Sequence, residues 1–139
     1  MILLDTNVVS ELMKPNPAAP LVAWVGKQPT SELFTSAITE AEIFYGIEIL
    51  SKGKRREGLL AAAEAMFTED FAGRVYSFES VAARQFSQIV AHRRKLGRPI
   101  NHADAQIAAI ARVHNAKLAT RNATDFAECG IDIIDPWSV

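Results

Sequence analysis

Short apolar runs alternate with longer stretches of helical period along the whole chain. The first run, Ile2–Leu4, is typical of a buried strand, and each later run is separated from the one before it by helical sequence. Strands that alternate with helices indicate an α/β domain with a parallel sheet, because parallel strands need such crossovers. The runs predict five strands: Ile2–Leu4, Leu33–Ser36, Val75–Phe78, Leu118–Thr120 and Ile131–Ile134.

Helices are predicted between these strands from apolar spacing and from start and stop signals. Thr39 and Glu42 fit a capping box that would open the third helix,. Asn101 is expected to cap the last one. The expected helices cover residues 8–13, a stretch beginning at residue 20, and residues 40–50, 55–67, 80–96 and 102–115.

Composition limits the class of protein. A chain of 139 residues with 49% apolar side chains is expected to form one globular domain over residues 1–139,. Its net charge of −1 gives no general attraction to nucleic acid, so any RNA contact needs a local basic patch,. The single cysteine, Cys129, excludes an intrachain disulfide and a cysteine-rich zinc site,. No stretch is apolar enough to span a bilayer, and a cytoplasmic location is expected.

Four carboxylates follow apolar runs or interrupt apolar stripes: Asp5, Glu42, Asp104 and Asp125. Asp5 follows the first strand, Glu42 lies in the helix after another strand and Asp125 in the loop after a third, while Asp104 interrupts the apolar face of the last helix. Ligands of parallel α/β sheets gather outside the carboxyl ends of the strands, so these acids can share one cleft. An all-oxygen cluster suits Mg²⁺ or Mn²⁺ better than zinc, which predicts metal-assisted chemistry on phosphate.

Each acid also has a structural interpretation. Asp5 and Glu42, taken singly, are better explained as helix caps. Asp104 lies on the stripe of Ile107, so a functional role is favoured there, although Asn101 could pair with it,. For Asp125 a polar capping loop and a site are equally good explanations. The joint pattern favours a site.

Two basic runs and the histidines carry less information. The runs Lys52–Arg56 and Arg93–Lys95, with Arg98 close by, are interpreted as solvated helix faces. A run that flanked the acids would bind a phosphate backbone. The histidines lack ligand spacing and are interpreted as surface or structural residues. The chain has no Walker loop, no GxGxxG fingerprint and no nucleophile elbow.

The chain resembles the PIN-domain family, most closely the VapC and FitB toxins of toxin–antitoxin pairs. The resemblance covers nearly the whole chain and is carried by the order and spacing of short motifs. These are Met1–Val8 with Asp5-Thr6-Asn7, Ser36–Glu42, Asn101–Ala105, Thr120-Arg121-Asn122 and Asp135-Pro136-Trp137.

This resemblance implies a three-layer α/β/α sandwich with a parallel five-stranded sheet and a Mg²⁺- or Mn²⁺-dependent endoribonuclease activity. The implied partners are RNA, a VapB-like antitoxin and a second copy of the chain, with DNA reached only through the antitoxin and no membrane contact. The family's first three acids fall on Asp5, Glu42 and Asp104. Many relatives carry an aspartate where this chain has Asn122, and Asp125 lies three positions later.

The resulting hypothesis is hydrolysis of an RNA phosphodiester. Asp5 and Asp104 would bind the metal ion, and Glu42 and Asp125 would complete the cluster directly or through water. Substrate or carboxylates would be positioned by four polar residues: Thr6, Asn7, Thr120 and Asn122.

The competing hypotheses are a phosphatase, a phospho-receiver and a non-catalytic binding module. Neither enzyme fits the motif Asp5-Thr6-Asn7, because a dehalogenase-type phosphatase needs Asp-x-Asp and a receiver needs paired acids. A regulatory module with a PIN-like fold remains the alternative. Its third and fourth helices would form a groove for an antitoxin helix.

Overall fold

Five parallel strands form one sheet in the order β3-β2-β1-β4-β5 in the computed structural model, which describes all 139 residues. The predicted number and parallel pairing of the strands are confirmed. The third and fifth strands are shorter than predicted and the fourth begins one residue earlier. The strands are β1 (Ile2–Leu4), β2 (Leu33–Ser36), β3 (Val75–Tyr76), β4 (Lys117–Ala119) and β5 (Ile133–Ile134).

Six α-helices flank the sheet, and their order agrees with the predicted one. A π-helical turn continues the fourth helix, with the Phe71 N–H donating to the Met66 carbonyl at 2.9 Å. No helix is both long and apolar enough to cross a membrane. The helices are α1 (Thr6–Leu12), α2 (Ala19–Gly26), α3 (Ala37–Glu48), α4 (Lys54–Ala65), α5 (Ser80–Lys95) and α6 (His102–Val113).

The two faces of the sheet bury separate hydrophobic clusters. Alternate residues of a strand point to opposite faces, so Leu3 packs with α5 and α6 while Ile2 and Leu4 pack with α1 to α4. Leu118 and Ala119 of β4 divide in the same way. The arrangement is the three-layer α/β/α sandwich that the resemblance implied.

The chain changes direction across the sheet at β1. Strand β2 pairs with one edge of β1 and β4 with the other, which makes the carboxyl ends of β1 and β4 the topological switch point,. Asp5 directly follows β1, and Thr120 directly follows β4. The fold therefore brings two residues 115 positions apart to the edge where ligands of such sheets bind.

The predicted capping box of the third helix is wrong. Helix α3 begins at Ala37, and Ser36 is its N-cap, because the Ser36 hydroxyl accepts a hydrogen bond from the Thr39 N–H at 3.1 Å. Thr39 therefore occupies the third helical position. Glu42 lies beyond the first turn of α3, and its side chain is free for another role.

Candidate metal-binding site

Asp5 lies at the centre of a hydrogen-bond network at the switch point. Its Oδ1 accepts from the Thr6 N–H at 2.8 Å and so caps α1. Its Oδ2 accepts from the Thr120 hydroxyl at 2.7 Å and from Asn7 Nδ2 at 3.1 Å. The side chain is 4% exposed. Burial and the charge of Glu42 raise the pKa of Asp5, while these donors oppose the rise,. The capping and site interpretations of Asp5 are thus compatible.

Asp104 is held at the start of α6 by Asn101. The Asn101 side chain accepts from the Asp104 N–H at 2.8 Å and donates to Asp104 Oδ2 at 2.9 Å. The predicted cap is confirmed. Burial first, and then the charges of Asp5, Asp125 and Glu42, raise the pKa of Asp104 to about 6, against the hydrogen bond from Asn101. A half-buried carboxyl that responds to three other acids lies in a strongly negative region.

Glu42 projects from α3 into the same region but is exposed. Its Oε1 accepts from the Thr6 hydroxyl at 2.6 Å. The Thr6 and Thr39 hydroxyl oxygens lie 3.1 Å apart, and because Thr6 has already donated its proton, Thr39 is the donor between them,. Ser36 extends this chain, with its hydroxyl 3.5 Å from that of Thr39. The buried hydroxyls of Ser36 and Thr39 and the partly buried hydroxyl of Thr6 thus connect the end of β2 to the Glu42 carboxylate.

Asp125 lies in a short 3₁₀ turn, Ala123–Phe126, in the segment after β4. Its side chain is exposed, unlike that of Asp5. The expectation that all four acids lie among apolar residues therefore does not hold for Asp125. Asn122 precedes the turn, and its N–H donates to the Thr120 hydroxyl at 3.1 Å. The Asn122 carbonyl accepts from the Asp125 N–H at 3.0 Å. No side-chain hydrogen bond caps this turn.

The four acids come from four separate elements, and the charges of the other three help to raise the pKa of Asp104 after burial. They do not form a ready-made metal cage: no three Asp, Glu, His or Cys side chains are arranged to hold one ion. Asp5, Glu42 and Asp104 are each directed toward a protein donor instead. The side chains described above offer only oxygen atoms as metal ligands. The single cysteine, Cys129, is a buried free thiol. This chemistry fits a hard divalent cation.

The interpretation of the second basic run as a solvated face is wrong for Arg93. This side chain is buried at 5% exposure, whereas Arg94 and Lys95 are exposed. The sequence holds a signal that was missed, since Arg93 follows Phe86 and Ile89 at spacings of seven and four residues on the inner side of α5,. The interpretation of the histidines is supported, because His114 stacks on Tyr76 with ring centroids 3.7 Å apart.

An apolar groove opens beside the acids. It has a volume of about 530 Å³ and lies between α1, α3 and α4. Thr6 and Glu42 line the end nearest the acidic cleft, and Lys14 and Arg55 contribute positive charge. Its apolar lining comes from Met13, Ile43, Ile47, Leu50 and Leu59.

Comparison with known proteins shows the family of the chain. The PIN domain family matches residues 2–130. The chain belongs to the PIN-domain family. Nucleases of this family generally depend on divalent metal ions.

Two PIN-domain relatives match almost over their full length. The chain is 40% identical to VapC ribonuclease Y4jK of Sinorhizobium fredii, covering 99% of this chain and 98% of the relative. It is 36% identical to toxin FitB of Neisseria gonorrhoeae, covering 99% of each. The solved structure of FitAB bound to an IR36 DNA fragment superposes with a TM-score of 0.92 at 36% identity, over 100% of this chain and 97% of that one.

Proposed function

We propose that this PIN domain, extending over residues 1–139, is a divalent-metal-dependent endoribonuclease and the toxin of a toxin–antitoxin pair. One observation carries the proposal: the fold brings Asp5, Glu42, Asp104 and Asp125, from separate elements, to one region at the switch point, where burial first and then the charges of the other three acids raise the pKa of Asp104. Structural caps alone do not need to face one another. The names of the ribonuclease and toxin relatives support the choice of RNA as substrate.

Asp5 and Asp104 would hold a Mg²⁺ or Mn²⁺ ion, and Glu42 and Asp125 would complete its surroundings directly or through water. Such an ion, when bound, lowers the pKa of a coordinated water and offsets charge on the phosphate. Glu42 and Asp104 would turn from their present donors toward the cation. Asn122 would supply a neutral amide oxygen where many relatives carry an acid.

The residues around the acids orient them for this work. Thr120 and Asn7 hold Asp5 from two sides, and Thr6 holds Glu42. Asn7 also accepts the Arg121 N–H at 3.1 Å, which fixes the segment after β4 against α1. Outer contacts of this kind keep ligating oxygens in place and exclude other rotamers.

A cleavage assay on single-stranded RNA tests the proposed activity. The purified protein should cut RNA in the presence of Mg²⁺ or Mn²⁺ and stop when EDTA is added. Asp5→Asn and Asp104→Asn should abolish cutting, whereas Glu64→Gln, a substitution on α4 away from the cleft, should not. Cutting that survives EDTA, or survives in both aspartate variants, would refute the nuclease proposal.

The groove between α1, α3 and α4 is the proposed binding site for the apolar face of an antitoxin helix,. The solved FitAB complex with DNA supports a partner of this kind, and DNA would be reached only through that partner. Expression of the chain alone should arrest growth, and Asp5→Ala should not. Equal arrest by both would favour the alternative, a regulatory module that acts by binding.

We also propose that the protein forms a homodimer in the cytoplasm, where an RNA substrate and the free Cys129 thiol are both expected,. Light scattering should give twice the 15.2 kDa mass of the chain. A mass of 15.2 kDa at micromolar concentration would contradict the dimer.

A further inference from the structure

Arg93 is a buried cation without an acidic partner. Its side chain is 5% exposed on α5, and none of the ion pairs in the structure includes it. Burying a charge is costly unless its polar atoms are satisfied by partners of good geometry. The guanidinium must therefore make contacts that justify its position inside the protein.

Those contacts are three main-chain carbonyls from two different segments, together with the Cys129 sulfur at 3.7 Å from Nη1. Arg93 Nε donates to the Arg98 carbonyl at 2.7 Å. Its Nη1 donates to the carbonyls of Asp125 and Ala127, at 2.9 and 3.0 Å. Arg98 lies in the connection between α5 and α6, three residues before Asn101. One rigid, planar group thus connects the segment leading to Asp104 with the segment that carries Asp125.

Asp125 differs from the other acids in how its side chain is held. Thr120, Thr6 and Asn101 donate to the carboxylates of Asp5, Glu42 and Asp104, respectively. The Asp125 carboxylate accepts no hydrogen bond from the protein, so only its backbone fixes its position. That backbone is held by Arg93, by the Asn122 carbonyl and by the buried ring of Phe126.

We propose that Arg93 is a positioning residue that fixes Asp125 relative to Asp104 and thereby places the fourth acid of the proposed metal site. The proposal rests on the proposed metal-dependent function. It explains why an arginine, with a fork of donors, is buried where a hydrophobic residue would pack at lower cost. A lysine ammonium at this position could not reach all three carbonyls in the same geometry.

Manganese binding to the purified full-length protein, followed by calorimetry, tests this role without relying on turnover. Arg93→Gln should weaken Mn²⁺ binding about tenfold. Arg94→Gln, an exposed neighbour on the same helix, should bind like the wild type. In an Asp125→Asn background, Arg93→Gln should change the Mn²⁺ affinity less than twofold, because the group that it positions is already lost.

Three results would overturn the role of Arg93. Folded Arg93→Gln could bind Mn²⁺ like Arg94→Gln, or its effect could persist fully in the Asp125→Asn background. If circular dichroism shows that Arg93→Gln does not fold, Arg93→Lys replaces it, alone and in the Asp125→Asn background. The third overturning result is then a wild-type Mn²⁺ affinity in Arg93→Lys. Wild-type protein that binds no Mn²⁺ would instead reject the metal site itself, which separates the two proposals.

Discussion

The Thr120 hydroxyl donates to the buried Asp5 carboxylate at 2.7 Å across the junction of β1 and β4. This bond joins residues 115 positions apart and places an uncharged donor against a carboxylate that burial would otherwise tend to neutralise,. The same hydroxyl oxygen accepts from the Asn122 N–H at 3.1 Å. Thr120 therefore connects the first acid of the site to the segment that carries Asp125.

Replacing Thr120 with valine should be more damaging than its small change in shape suggests. The substitution removes a donor from the buried Asp5 carboxylate, which should cost about 1–3 kcal/mol in the free energy of unfolding. The pKa of Asp5 should rise further and RNA cleavage should fall about tenfold. Urea denaturation and kcat/KM measure the two effects. Thr120→Ser keeps the hydroxyl and is the control, and equal results for serine and valine would contradict this role.

The metal-free protein should lose stability as the pH rises through 6. The pKa of Asp104 is raised from 3.8 to about 6, so the folded protein retains a proton that the unfolded chain releases. The stabilisation is complete below about pH 4 and is lost between pH 4 and just above 6. The loss should be roughly 1–2 kcal/mol for this half-buried group.

Thermal unfolding in EDTA across this pH range measures the effect. Asp104→Asn should remove much of the slope, and above pH 7 it should be more stable than the wild type because it lacks the charge repelled by the other acids. Asp5 contributes a slope of the same sign. The contradicting result is a free energy of unfolding that increases from pH 4 to pH 6 more in the wild type than in Asp104→Asn. It would show that the folded protein favours the charged form of Asp104.

Thr6 should affect activity more than stability. Its hydroxyl orients Glu42 through a 2.6 Å hydrogen bond, but Glu42 is exposed and remains solvated when the bond is lost. Thr6→Val also removes the acceptor of the buried Thr39 hydroxyl, so it should cost about 1 kcal/mol of stability, while reducing cleavage about tenfold. Melting temperature and kcat/KM separate the two, with Thr6→Ser as the matched control. Full activity in the valine variant would mean that Glu42 needs no orientation.

Gly46 and Gly97 should respond in opposite directions to alanine. Gly46 lies within α3, and an added Cβ meets nothing within 4 Å, so Gly46→Ala should stabilise the protein by about 0.5–1 kcal/mol,. Gly97 ends α5 with φ of 71°, a conformation that alanine adopts only with strain. Gly97→Ala should cost about 1 kcal/mol. Chemical denaturation compares them, and a stabilising Gly97→Ala would contradict the backbone argument.

The sequence predicted the strands and the residues of the switch point better than it predicted local hydrogen bonding. Strand runs such as Ile2–Leu4 are buried on both faces and are visible as unbroken apolar segments,. The start of α3 was misplaced because Ser36 and Thr39 are both good caps, and only the three-dimensional path of the chain decides between them. Ser36 is fixed by its place at the end of β2.

Arg93 shows a second kind of limit. Because Arg94 and Lys95 follow it, Arg93 was predicted to lie on a solvated, charged face of the helix. Its helical spacing places Arg93 on the apolar side instead. Two of the three carbonyls that accept from it lie more than 30 residues away along the chain, at Asp125 and Ala127. Backbone acceptors of this kind carry no signature in the residue types.

Direct titration of the protein with Mn²⁺ at about pH 6, where about half of the Asp104 carboxyls still carry a proton, is the sharpest test of the claim that Asp5 and Asp104 hold a divalent cation,. Calorimetry should show binding to the wild type with release of protons, because the raised pKa of Asp104 falls when the cation binds,. Asp5→Asn and Asp104→Asn should each weaken the affinity at least tenfold. Wild-type affinity in both variants, or no binding to the wild type at millimolar Mn²⁺, would contradict the account.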